Sequence, residues 1–83
     1  MFGNLFRKNA EVPDIQVGAT FRHTSDGNVV ETAKVVEVGE DPQGVRHVTY
    51  DLKVEKARFA AYEERRTLGL ETFSAHFQEA VPA

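Results

Sequence analysis

The stretch from 45 to 54 constrains the fold more than any other part of this chain. Val48, Tyr50, Leu52 and Val54 alternate with His47, Thr49, Asp51 and Lys53. Successive side chains of an extended strand point to opposite faces, so this period of two describes a strand with one apolar and one wet face. Such a strand needs paired neighbours along its edges and an apolar layer against one face. The rest of the chain must supply both.

Residues 17–23 read as a first strand, and 24–28 as a turn in which Asp26 and Gly27 form a strong hairpin dipeptide. Residues 29–38 read as a long second strand rich in β-branched side chains. Its apolar phase changes midway: Ala33 and Val35 share one parity, Val36 and Val38 the other. A phase switch within one strand is what a bulge or sharp bend produces. Residues 39–44 form a loop, because Pro42 has no place in a sheet interior.

Two readings stay open for residues 55–64. Phe59 and Tyr62 suit a helical turn, or a loop that folds both rings over the core. Residues 65–70 read as a short fourth strand. Leu70, Phe73, Phe77 and Val81 then follow a helical spacing that ends before Pro82, with acidic Glu71 in the first turn. The expected core is Phe21, Ala33, Val36, Val38, Val48, Tyr50, Leu52, Val54, Leu68, Leu70, Phe73 and Phe77.

Residues 1–16 read as a flexible tail, and 17–81 as a single small domain. Within the tail, Phe2, Leu5 and Phe6 lie on one side of a short helical turn followed by Arg7 and Lys8. They are a candidate anchor for a membrane surface or a partner groove. With 83 residues the chain is one small domain that buries only about 60% of its unfolded surface. It has no cysteine, which excludes disulfides and thiolate metal sites and fits a cytoplasmic location. No apolar run approaches the ~20 residues of a membrane span. The net charge of −3 argues against a protein devoted to gripping phosphate backbones.

Gly18, Phe21, Arg22 and His23, then a turn, a kinked strand and the alternating strand, and finally Leu68, Gly69, Leu70 and Phe73, together resemble SH3-like small β-barrels of the Tudor and KOW type. The Gly-x-x-aromatic-Arg-His opening and the Phe-containing close also resemble bacterial small domains of unknown function. The resemblance spans about residues 17 to 80. It implies a mainly β fold: a small partly open barrel, or a bent antiparallel sheet of four to five strands, with a short C-terminal helix. It also implies binding of peptides or nucleic acid rather than catalysis.

The side chains that carry chemistry are scattered. Hairpins centred on the expected turns set His23 opposite Val29 and His47 opposite Val36, about 23 Å apart along the second strand. Metal ligands must lie about 2 Å from a common point, and His76 has no His or Asp four residues away, so no metal and no cofactor are expected. Ser74 and His76 are two residues apart on a helix and do not face each other. Glu40 with Asp41, and Glu63 with Glu64, read as solvated neighbours rather than acid–base pairs. Gly39 and Gly44 flank a turn, not a phosphate loop. No catalytic residue is expected, and no enzyme.

Arg22, Arg46, His47, Arg58, Phe59, Tyr62 and Arg66 form the candidate ligand surface, since arginines with aromatics hold single strands by charge and stacking. The leading functional expectation is a non-enzymatic interaction module that binds a protein partner or weakly self-associates through an unpaired strand edge. The alternative is a barrel that binds single-stranded nucleic acid.

Overall fold

The alternating stretch is an interior strand of a five-stranded antiparallel sheet. The computed structural model describes residues 15–56 and 59–82. In chain order these form β1 (Thr20–Ser25), β2 (Val29–Glu40), β3 (Arg46–Lys56), β4 (Phe59–Gly69), α1 (Leu70–His76) and β5 (Glu79–Val81). The spatial order is β4-β3-β2-β1-β5, a four-strand meander whose short last strand returns beside β1. The fold is therefore mainly β, one open sheet with a short helix near its C-terminal end.

The phase switch in β2 is a bulge. Ala33 faces Leu52 and Val35 faces Tyr50; then the register shifts between Val35 and Glu37, and Val38 faces Val48. The extra residue is Val36, so Ala33, Val35 and Val38 all present to one face although their numbering changes parity. This corrects the expected core: Val35 is buried and Val36 only half so.

The reversal between β1 and β2 is centred on Gly27. Ser25 pairs with Val29, and Gly27 and Asn28 have φ of 81° and 61°. Glycine and asparagine are the residues that enter this left-handed region at least cost. Between β2 and β3, the Asp41 carboxylate accepts backbone N–H groups from Gln43 and Val45, each at 2.9 Å. That closes the loop locally, as Asp does in turns.

Two expectations are overturned. The described residues of 55–64 are strand rather than a helical turn or a loop over the core: β3 continues to Lys56 and β4 starts at Phe59, with Val54 facing Tyr62 and Lys56 facing Phe59. The alanines here favour helix weakly, but the open side of β3 offers a ladder of unpaired backbone groups, and satisfying it outweighs propensity. The fourth strand is accordingly longer than residues 65–70. The helix also stops at His76 instead of running to Val81, and Glu79–Val81 pairs with β1. Helical continuation would have left that side of β1 without its ladder.

The core sits under α1. Phe21, Ala33, Val35, Val48, Tyr50, Leu52, Phe73 and Phe77 are buried, and Ile15, Ala19, Val38, Val54, Leu68 and Leu70 pack around them. Phe73 meets Phe21 edge-on at 5.6 Å and Tyr50 at 5.0 Å, while Phe77 meets Tyr50 at 5.5 Å. Edge-to-face pairs of this kind add to the stabilisation from burial alone.

Leu52→Ala is expected to destabilise the fold by about 2–5 kcal/mol in denaturant titration, because it opens a cavity facing Ala33. Val35→Thr should destabilise it clearly more than Val36→Thr. Equal losses at 35 and 36 would contradict the bulge register.

Candidate functional site

The sheet has two ends of different character. At one end β5 spans only three residues. At the other, β4 spans eleven and, among the described residues, has only β3 as a neighbour. Its residues alternate between the two faces. Tyr62, Glu64, Arg66 and Leu68 lie opposite Val54, Leu52, Tyr50 and Val48 on the face that carries the core. Glu63, Arg65 and Thr67 lie opposite Lys53, Asp51 and Thr49 on the outer face. Tyr62 is a large apolar side chain left 52% exposed on this edge.

The candidate ligand surface does not converge. Arg22 lies on the outer face of β1, its Nη2 donating to Glu79 Oε2 at 2.7 Å. His47 is on the outer face of β3, with Nδ1 3.1 Å from the Val45 carbonyl oxygen. Arg46 borders a shallow cleft between the β2–β3 loop and the first turn of α1, together with Leu70, Glu71 and Thr72. Arg66 is on the core face of β4, ion-paired with Glu64. Among those whose side chains are described, Tyr62 and Arg66 share one face of one strand. Arg58 lies outside the described residues, as do Phe2, Leu5 and Phe6, and Phe59 is placed only as the first residue of β4.

The outer face is a mosaic of paired polar groups. Arg65 Nε donates to Asp51 Oδ1 at 2.8 Å, and the Thr49 and Thr67 hydroxyls are 3.0 Å apart. Glu63 and Glu64, adjacent on a strand, point to opposite faces. Ser74 is exposed on α1, while His76 turns toward Glu31.

The histidines fall differently from expectation. His23 pairs with Glu31 rather than Val29, and His47 with Gly39 rather than Val36. Both hairpins are centred later than the turn residues implied. His23 and His47 remain far apart, eight residues along β2 or about 26 Å. His76, however, is brought against His23 and Glu31: its Nε2 is 3.1 Å from Glu31 Oε1, and its ring lies 4.0 Å from that of His23. Sequence reasoning missed Glu31 altogether. The available signal was the hairpin register, which sets 23 against 31 once the turn is centred on Gly27.

Comparison with protein-family models, curated proteins and solved structures finds no match. Among the described residues, no helix is long and apolar enough to cross a membrane.

Three carboxylates are held below their ordinary range by hydrogen bonds: Asp41 by the Val45 N–H, Asp51 by Arg65, and Glu79 by Arg22. A carboxylate whose folded pKa is depressed adds stability above its unfolded pKa, about 4, and loses it as pH falls through the folded value. Melting temperature should therefore drop progressively below about pH 4. The combined variant Asp41→Asn, Asp51→Asn and Glu79→Gln should show a shallower acid slope; an unchanged slope would remove these groups from the account.

Proposed function

We propose that this protein is a non-enzymatic interaction module of the SH3-like kind, which binds an extended protein strand along the free edge of β4. The observation that carries this reading is the eleven-residue strand at the end of the sheet, paired on one side only among the described residues. A peptide strand added there gains main-chain hydrogen bonds along its length, with side-chain contacts supplying selectivity.

The order Glu63, Glu64, Arg65, Arg66 makes that edge selective. Charges on an edge strand discourage indiscriminate pairing. They accept a strand whose charges run in the complementary order, and a second copy of β4 is such a strand. In an antiparallel pair centred on Glu64, Glu63 of each copy faces Arg65 of the other, and Tyr62 faces Arg66. Each such cross-strand pair contributes roughly 0.2–1 kcal/mol. The two central Glu64 carboxylates face each other, but each already has its own Arg66.

Sedimentation over a concentration series is expected to show a weak monomer–dimer equilibrium. Glu63→Arg should weaken it, by opposing Arg65, and the swap Glu63→Arg with Arg65→Glu should restore it. A dimer indifferent to these changes would place the contact elsewhere. A monomer at all concentrations, combined with amide shifts at Arg46 and Arg66 on adding short single-stranded RNA, would favour nucleic-acid binding over a protein strand.

A further inference from the structure

We infer that His23, Glu31 and His76 form a binding site for a first-row divalent metal ion, with zinc the best match. His23 and Glu31 face each other across the β1–β2 pair, so the ladder itself sets their spacing. His76 arrives from the last turn of α1, with Nε2 3.1 Å from Glu31 Oε1. Its ring lies over that of His23, centroids 4.0 Å apart and planes tilted by 33°. One donor atom from each of the three residues lies within 4.8 Å of the other two.

Zinc holds imidazole nitrogen and carboxylate oxygen at about 2.0–2.2 Å. Neighbouring donors of a tetrahedron that size are about 3.4 Å apart. The His76–Glu31 distance is already close to that edge length, and a third donor within 4.8 Å of both must move in by at most about 1.4 Å to complete the set. Two imidazoles and a carboxylate suit zinc and its neighbours cobalt, nickel and copper. Magnesium and calcium prefer all-oxygen sets. Three protein donors leave a coordination position for water or an external ligand.

The surroundings are compatible with a cation. His23 and His76 line a shallow open cleft together with Arg22, Thr24, Ala75, Gln78 and Glu79. The charge of Arg22 is engaged by Glu79, and Glu31 supplies a carboxylate to the cluster itself. His76 also packs edge-on against buried Phe77 at 4.7 Å, which limits the freedom of its ring. The ion would join the end of α1 to the β1–β2 hairpin, so binding stabilises the fold. The site shares no residue with β4 and stands apart from the edge reading.

The test is titration of tag-free, full-length protein with zinc, followed through the ring nitrogen resonances of the histidines. One equivalent of zinc should move His23 and His76, leave His47 in place and raise the melting temperature. Cobalt should give the visible absorption of a low-coordinate nitrogen–oxygen site, lost in Glu31→Gln and His23→Ala and retained in His47→Ala. Absence of any shift at several equivalents of zinc, or a shift centred on His47, would overturn the proposal. The wild-type spectra decide this even where a variant folds poorly.

Discussion

The rest of the structure depends on the contact between α1 and the sheet, where Phe73 and Phe77 close over Tyr50 and Phe21. An open sheet has one apolar face to remove from water and cannot cover it by itself. A seven-residue helix is equally unable to persist alone, since it is far below the length at which isolated helices hold. Each element is stable only against the other. The aromatic wedge is thus where the strand pattern of the middle of the chain and the helical pattern of its end are reconciled.

The asymmetry of the sheet follows from that contact. With Phe77 buried, the chain leaves the helix beside β1, and Glu79–Val81 pairs there. One end of the sheet is thereby a strand of three residues, and the long β4 is, among the described residues, the edge at the other. The same docking carries His76 to His23 and Glu31. The two surfaces with distinct chemistry therefore lie at different ends of one sheet, and both owe their form to where the helix packs.

Much of the scaffold was legible. The period of two in β3 required a half-buried strand, and the parity change in β2 pointed to a bulge or a sharp bend; the bulge keeps Ala33, Val35 and Val38 on one face. Phe73 and Phe77 were recognisable as core from spacing alone. Which valine is the extra one was not recognisable, because Val35 and Val36 differ in position and not in chemistry. The start of β4 was obscured by alanines that read equally well as helix, and β5 by an apolar period that continues past the point where the chain leaves the helix. In both cases the deciding factor was an unpaired strand edge elsewhere in the molecule. Of the described side chains of the candidate ligand surface, only Tyr62 and Arg66 share a face of one strand; Arg22 and His47 are on the other face of the sheet.

The amino-acid order by itself determined much of the local geometry: the extended backbone of β2 and β3, the reversals near Gly27 and around Asp41, and most of the side chains that seek the core. These properties depend on neighbours a few residues apart, through φ/ψ preference, side-chain parity and short-range hydrogen bonds. Tertiary structure alone decided which residues meet across long separations, such as His76 with Glu31 and Arg22 with Glu79. Those meetings follow from strand register and helix docking, and a one-residue change in a hairpin centre moves every partner along the ladder.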